Sequence, residues 1–407
     1  MNLLFVADVP FKNPTSGAPK VLYERSVRLA KKHTISVITR ITEDEPLIEE
    51  KVNGVVVYRY YVNRSNAINF IRSSIINCFN VFNRLLVHNN IQLIVFHQPI
   101  SAFIVNLSPK SWNIPKVYTF FSPAFKEYET KRDIKKITIK MKSGSLALKW
   151  VEKFCLSRCN KIIVLSEFSK RQLIEYHKIP VTKIHIIPAG VDTKRFIPAS
   201  SPIKEIREKL NLPRDKFILF TLRNLIPRMG LETLLEAMAL IVKQNTDIYL
   251  VVGGTGVLEK KLKLLVGQLN LNNYVRMEGF IPDEQLLLYY QSADLFVLPS
   301  KFLEGFGLIT LEALACGLPV LGTPVGGTIE ILGKLDANLL FSNTDAYSMA
   351  EKILEFYHSR SHLSRSHLSR DKLIELSNYC REFVVANYSW DMAELEQLLL
   401  AQINGVM

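Results

Sequence analysis

Short apolar runs followed by amphipathic stretches recur along the whole chain, and that alternation restricts the fold more than any other feature. Residues 3–7, 35–39, 55–60, 93–96, 117–121 and 162–165 read as buried strands, with helical patterns such as 20–31 between several of them. Strands with no wet face, alternating with helices, indicate βαβ units on a mostly parallel sheet. The rhythm then restarts. Residues 217–222, 248–252, 275–278, 295–298, 319–321 and 339–341 form a second set of strands, separated by helical stretches such as 231–243 and 285–291. Between the sets lie Pro188-Ala-Gly-Val-Asp192 and Pro198-Ala-Ser-Ser-Pro202, a turn-rich linker. The expected architecture is α/β, with two doubly wound Rossmann-like domains. Ligands in such folds sit at the carboxyl ends of strands, where loops lead into helices.

Composition agrees. With 407 residues, 48% of them hydrophobic, the chain is too long for one ordinary domain and suits two of about 200 residues each. Lys and Arg outnumber Asp and Glu by 51 to 38, giving a net charge of +13. An excess of that size implies an anionic partner: nucleic acid, acidic lipid or a phosphorylated small molecule. The basic residues show no aromatic interleaving and no reader motif, so nucleic acid is set aside. No stretch of 18 apolar residues is free of charge, which argues against a membrane span. Met1-Asn-Leu-Leu-Phe-Val-Ala-Asp8 lacks a basic n-region and reads as a first strand, not a secretion signal. The five cysteines (78, 155, 159, 316 and 380) are scattered and odd in number, as expected of reduced thiols in a cytoplasm. Cys155 and Cys159 share a helix face, but no further His or Cys completes a zinc set.

Two segments interrupt the rhythm. Residues 126–153 hold nine basic residues against four acids, interleaved with apolar ones such as Ile137, Leu146 and Trp150. They read either as a solvated helix with an apolar inner face or as a basic amphipathic element at an anionic membrane surface. Ser359-Arg-Ser-His-Leu repeats at once from Ser364. It is a local duplication to which no function is assigned.

The residues most apt for chemistry run from Pro299 to Glu312. A strand ends at Pro299-Ser300, a loop with Gly305 and Gly307 follows, and an apolar helix begins near Leu308. Glycines let backbone N–H groups approach a ligand, and a helix N-terminus adds partial positive charge, so together they suit an anion. Glu304 and Glu312 flank that point, and carboxylates accept hydrogen bonds from sugar hydroxyls. The bland alternatives are a helix-capping Glu and an exposed helix Glu.

The pair Glu304 and Glu312 resembles the E-x7-E pattern of family 4 of retaining glycosyltransferases. Other pieces fall in that family's order. Ser16-Gly17-Ala18 is similar to its glycine loop after the first strand, and Ser166-Glu-Phe-Ser169 to its end-of-strand motif. Gly190-Val-Asp192 with Arg195-Phe-Ile-Pro198 resembles its linker, and Gly253-Gly-Thr-Gly256 its G-x-G turn. Gly279-Phe280, Ala293-Asp294, Gly326-Gly327 with Glu330, and Tyr388-Ser-Trp390 also fit. The resemblance covers nearly the whole chain.

It implies a GT-B fold, two Rossmann-like domains facing a central cleft. Residues 1–195 would form the acceptor-side domain and 196–378 the nucleotide-sugar domain, with 379–407 a C-terminal helix packing back toward the first. The implied activity is transfer, with retention and without a metal or cofactor, of a sugar from a UDP- or GDP-sugar to a hydroxyl acceptor. The acceptor is expected to be a cell-envelope or lipid-linked glycan, and the location cytoplasmic, peripheral at the inner face of the membrane through 126–153. Glu304 would contact the transferred sugar, Glu312 the ribose, and the N–H groups of Phe306, Gly307 and Leu308 the phosphate. Gly17, Asn224, Gly254, Phe280 and Gly305 complete the implied donor set. The leaving phosphate would help to deprotonate the acceptor, so the protein's main task is to stabilise charge on the diphosphate.

The sequence departs from the family at three positions. In Arg223-Asn-Leu-Ile-Pro-Arg-Met-Gly230, Asn224 and Met229 stand where an Arg and a Lys are usual. Arg223 and Arg228 directly precede them, and a long guanidinium can serve a phosphate from a neighbouring position. Phe121 stands where many members carry a His, and a phenyl ring handles no proton. His97, at a strand end, is the acceptor-side alternative, against the plain reading of a hydrogen-bonded strand-end His. The three departures also leave open a GT-B protein that binds nucleotide-sugars or serves as a partner subunit with lost or weak transfer, and an epimerase or phosphorylase of the same fold.

Overall fold

The computed structural model describes residues 1–12, 17–130, 139–363 and 367–405. The chain divides into two compact units: Met1–Glu129, Ile137–Pro188 and Asp391–Met407 form unit 1, and Ala189–Trp390 form unit 2.

Unit 1 runs β1 (Asn2–Val6), α1 (Gly17–Leu29), β2 (Thr34–Arg40), β3 (Glu49–Val52), β4 (Val55–Tyr60), α2 (Ala67–His88), β5 (Leu93–Phe96), α3 (Pro99–Asn106), β6 (Lys116–Phe120), α4 (Ala124–Thr130), α5 (Ile139–Ser157), β7 (Lys161–Val164), α6 (Glu167–His177) and β8 (Ile184–Ile186). Its eight strands are ordered β3-β4-β2-β1-β5-β6-β7-β8, and every pairing is parallel except β3 with β4. Alternate strand residues point to opposite faces, and both faces are buried. Leu4 and Val6 join Cys78, Phe82, Ala102, Val105, Cys155 and Leu156 beneath α2, α3 and α5. Leu3, Phe5 and Ala7 join Leu22 and Leu29 of α1 on the other side.

Unit 2 runs α7 (Ile203–Lys209), β9 (Phe217–Leu222), α8 (Leu231–Val242), β10 (Ile248–Gly253), α9 (Glu259–Gln268), β11 (Val275–Gly279), α10 (Asp283–Ser292), β12 (Leu295–Leu298), α11 (Leu308–Ala315), β13 (Val320–Gly322), α12 (Gly327–Leu335), α13 (Ala346–Leu363) and α14 (His367–Tyr388). Its five-stranded sheet is wholly parallel, in the order β11-β10-β9-β12-β13. The chain builds outward from β9 to β11, then returns to the other side of β9 with β12. The strand order therefore reverses between β9 and β12, and the crevice beyond their carboxyl ends is where such sheets bind ligands. In unit 1 the corresponding reversal lies between β1 and β5.

Several expectations need correction. Residues 339–341 are not a strand. A 3-10 turn, Ala337–Leu339, leads into a single bridge between Leu340 and Gly322. The stretch 379–407, expected as one helix, holds the end of α14 and a separate α15 (Ala393–Asn404). Leu395 and Leu399 of α15 are buried with the α1 side of unit 1. The strands β3 and β8 and the long helix α2 went unread. In the basic segment 126–153, residues 131–138 lie outside the described residues, between α4 and α5. The duplicated Ser-Arg-Ser-His-Leu also falls partly outside them, at 364–366. All five cysteines are buried, and none is in a disulfide.

Candidate functional site

At the reversal in unit 2, the loops after β9 and β12 are stitched together. Lys301 N donates to the Arg228 carbonyl at 2.8 Å, and Arg228 Nη1 to the Leu303 carbonyl at 2.7 Å. Gly230, with φ +73°, lets the first loop lie against the second, since a Cβ there would sit 1.7 Å from the Pro299 carbonyl oxygen. Arg223 follows β9 directly and is buried. Its Nη2 donates to Glu304 Oε2 at 2.5 Å and to Ser300 Oγ at 2.7 Å, and it touches the Met229 sulfur. Ser300 in turn donates to Glu304 Oε2 at 2.8 Å.

Burial alone would push the Glu304 carboxyl up. The Arg223 guanidinium, the Ser300 hydroxyl and the Arg228 charge outweigh it and hold the pKa below its usual value. Glu304 is therefore a carboxylate at neutral pH, with one oxygen fixed. Its other oxygen, Oε1, carries no hydrogen bond from the described residues, although 11% of the side chain is exposed.

The segment after Glu304 is seated by the turn before α12. Gly327 N donates to the Glu304 carbonyl at 2.8 Å. A Cβ on Gly326 would lie 2.1 Å from that carbonyl oxygen, and one on Gly327 would lie 2.7 Å from Phe306 Cα. The pair Gly326-Gly327 is thus a requirement of backbone approach. Gly307, at φ +100°, caps α11 with no side-chain cap. The N–H groups of Phe306, Gly307 and Leu308 find no acceptor among the described residues. Uncapped first-turn N–H groups are a ready anion site.

Glu312 lies one turn into α11 and is buried, so the reading of an exposed helix Glu fails. Tyr290 donates to Glu312 Oε2 at 2.9 Å. Burial, followed by this carboxylate, raises the Tyr290 phenol well above its usual value, which keeps it a donor. Arg195 of the linker adds a nearby positive charge.

The other donor candidates in unit 2 are placed less uniformly. Gly254 has φ +115°, and a Cβ there would meet the Arg223 carbonyl at 1.9 Å, so it packs the β10 turn against the β9 loop. Gly305 is half-buried and Asn224 exposed. Phe280 follows β11 with its ring 62% exposed. The linker and the Tyr388-Ser-Trp390 motif meet: Val191 N donates to the Tyr388 carbonyl at 2.8 Å, and a Cβ on Gly190 would meet Trp390 N at 2.7 Å.

In unit 1, Gly17 opens α1. Ser166 caps α6 by accepting from Ser169 N at 3.1 Å, and Ser169 Oγ donates to the Phe121 carbonyl. His97 and Phe121 are neighbours, with ring centroids 5.8 Å apart, and Phe5 lies on the imidazole's other side at 5.7 Å. His97 is buried with neither ring nitrogen hydrogen-bonded, which corrects the reading of a satisfied strand-end His. Burial, with the Arg25 charge, pushes its pKa down to about 3. Next to it Asp8 is fully engaged. Its Oδ1 accepts from Arg40 at 2.7 Å and from Tyr60 at 3.1 Å, and its Oδ2 from Ser101 N at 3.2 Å.

The sequence reading missed Ser300, Tyr290 and the sulfur of Met229. Ser300 carried a signal, a hydroxyl directly after a strand and four residues before Glu304. Tyr290 carried none, because its partner lies 22 residues away on another helix. Among the described residues no group of three or more His, Cys, Asp or Glu side chains is placed to hold a metal. No described helix is long and apolar enough to cross a membrane.

Comparison with known proteins agrees with this arrangement. The model described as "Glycosyltransferase Family 4" matches residues 15–195, and that described as "Glycosyl transferases group 1" matches residues 202–374. The GDP-mannose-dependent alpha-(1-6)-phosphatidylinositol monomannoside mannosyltransferase of Mycobacterium tuberculosis is 27% identical over 218 residues, 52% of this chain and 54% of that one. A D-inositol 3-phosphate glycosyltransferase of Thermobispora bispora is 28% identical over 281 residues, 66% of this chain and 63% of that one. The chain thus spans between about half and two thirds of the length of these relatives. Among solved structures, the sucrose-phosphate synthase of Thermosynechococcus elongatus superposes with a TM-score of 0.77 at 21% identity, covering 98% of this chain and 100% of that one. Anabaena HepE in complex with UDP-glucose gives 0.74 at 15% identity, each chain fully covered. These likenesses show the fold, GT-B with two Rossmann-like domains. With the two models matching one after the other along most of its length, the chain belongs to glycosyltransferase family 4.

Proposed function

We propose that the chain transfers a sugar from a UDP- or GDP-sugar, with retention of anomeric configuration, to a hydroxyl on a cell-envelope or lipid-linked glycan. One observation carries this: three unpaired N–H groups at the start of α11 adjoin a buried, ionised Glu304 whose Oε1 is open. Amides for a diphosphate and a carboxylate for sugar hydroxyls are what a nucleotide-sugar needs from one segment. Glu312, held through one oxygen by Tyr290, is the ribose contact. The GDP-mannose in the name of one relative supports the donor class, and the phosphatidylinositol in the same name supports a lipid-linked acceptor.

In the reaction, the acceptor hydroxyl oxygen bonds to the anomeric carbon as the bond from that carbon to the diphosphate breaks. The acceptor proton passes to the departing phosphate oxygen. The helix N-terminus and the Arg223 and Arg228 charges offset the diphosphate, with no step assigned to a metal. Residues 1–195 take the acceptor, with His97 and Phe121 at that side, and residues 196–378 take the donor. A cytoplasmic location at the inner membrane face, with 126–153 as one contact, suits such an acceptor.

A second reading, a nucleotide-sugar-binding partner subunit, is favoured by one fact. The Arg223 guanidinium is already committed to Glu304, and Met229 supplies no charge beside it. Incubation with UDP-, GDP- and ADP-sugars separates the two. Slow hydrolysis of one donor is expected, reduced about 10- to 100-fold by Glu304→Gln, as loss of a charged hydrogen-bond partner implies. A folded protein that binds a donor without hydrolysing it supports the subunit reading. One that binds none overturns both.

A further inference from the structure

We propose that the N-terminal half of α2, on the outer side of unit 1, is a docking surface for an anionic lipid bilayer. The first two turns of α2 contain no buried residue. Its fully buried residues run from Ser74 through Cys78, Phe82 and Leu85, with Phe70 half-buried against the same core. The adjoining exposed face carries Ile68, Ile71, Arg72, Ile75 and Ile76, which line one open depression. Their spacing of three and four residues puts them on a single helix face. Ile68 is 77% exposed and Ile71 57%. Exposed apolar residues scattered singly mean little, but four isoleucines side by side mark an interaction site.

Charge complementarity identifies the occupant. No Asp or Glu occurs between Glu50 and Glu127, while that span holds eight Lys and Arg residues. Arg59 and Lys116 are buried, but Arg64, Arg72 and Arg84 are exposed, on or just before α2. An apolar stripe bordered by basic residues, with no acid to repel phosphate headgroups, lies in the plane of an anionic interface. Arg72, inside the stripe, can bury its stem and keep its guanidinium at headgroup level. Helices α2, α3 and α5 cover the same side of the sheet, and Leu107 and Trp112 after α3 and Leu146 and Trp150 of α5 are exposed as well. Aromatic rings of this kind settle at bilayer interfaces.

The test is co-sedimentation of the full chain with vesicles, independent of any donor or turnover. Vesicles of phosphatidylcholine alone are compared with a phosphatidylcholine–phosphatidylglycerol mixture. Binding to the mixture alone is expected, weakening as salt rises. The double substitution Ile71→Ser and Ile75→Ser, and separately Arg72→Glu, should each lower that binding by about tenfold, from lost apolar area or reversed charge. Both lie on the exposed side, so the thermal midpoint should not move. Equal binding to both vesicle types overturns the proposal, as does binding unchanged in both variants. So does concentration-dependent self-association that the isoleucine substitutions abolish, which would give the face to a second copy of the chain.

Discussion

At the reversal in unit 2, the buried charges are matched. Arg223 faces Glu304 and Ser300 donates to the same oxygen, which leaves Oε1 open as an acceptor beside the unpaired Arg223 Nε and the N–H groups of 306–308. At the reversal in unit 1, Asp8 is saturated by Arg40, Tyr60 and Ser101 N, while beside it the polar atoms are unmatched. Neither nitrogen of His97 has a partner, and Nε and Nη1 of Arg25 have none either. The two sheets share a strand-order reversal, yet the buried guanidinium of unit 2 lies on a carboxylate, while Arg25 in unit 1 makes no ion pair among the described residues and His97 no hydrogen bond. On the proposed function, a nucleotide diphosphate-sugar needs a fixed constellation, and the Arg223–Glu304 pair would be part of it. Unpaired buried groups cost stability wherever they persist, so a buried imidazole and guanidinium without an ionic partner in unit 1 are a mark of function or of tolerated strain.

The strongest way to break the comparison is to unmatch unit 2. Arg223→Met leaves Glu304 buried with only Ser300, and should cost about 3–5 kcal/mol in denaturant unfolding, the range for removing one partner of a buried pair. A loss under about 1 kcal/mol, as for an exposed pair, would place Glu304 in solvent and erase the contrast. Next in size, Gly326→Ala drives a Cβ into the Glu304 carbonyl at a positive φ. It should destabilise by about 1–3 kcal/mol and weaken nucleotide binding with it. Unchanged affinity would show that the segment 304–308 is not what holds the donor.

The test with no effect at pH 7 sharpens the unit 1 side. His97 is held neutral, its pKa lowered from 6.5 to about 3. Between those values the unfolded chain binds the proton that the folded one refuses, so stability falls as pH drops from 6.5 toward 3. The slope from this group is at most about 1.4 kcal/mol per pH unit. His97→Phe keeps an aromatic ring between Phe5 and Phe121 and removes both unpaired nitrogens. It should flatten the acid limb of a stability–pH curve without loss at pH 7. A wild-type curve already flat from pH 6.5 to 4.5 would mean that the imidazole finds a partner in solution.

How far the sequence could be read follows the same division. Buried parallel strands announce themselves as apolar runs, so 55–60, 93–96, 217–222 and 295–298 match the structure residue for residue. The edge strand β3, Glu-Glu-Lys-Val, carries no such signal. Helix α2 escaped because its exposed face is as apolar as its buried one, which erases the 3.6-residue contrast. The Glu304–Glu312 segment and the start of α11 were legible because glycine, helix start and acid lie together in one stretch of chain. The partnership of Arg223 with Glu304 was not, because it joins strands 81 residues apart that become neighbours only when the strand order reverses. The sequence reading aimed both arginines at phosphate. In the structure Arg223 also holds the carboxylate, and Arg228 the backbone that carries it.

The asymmetry of the Glu304 carboxylate has an entropic consequence. With Oε2 fixed by two donors, the terminal torsion of the side chain has no freedom left, and Oε1 points where the fold sets it. A ligand hydroxyl arriving there meets an acceptor that is already ordered. The immobilisation of about 0.5–1.5 kcal/mol that a mobile side chain would suffer on binding is incurred once, when the chain folds, and not at each encounter with a ligand.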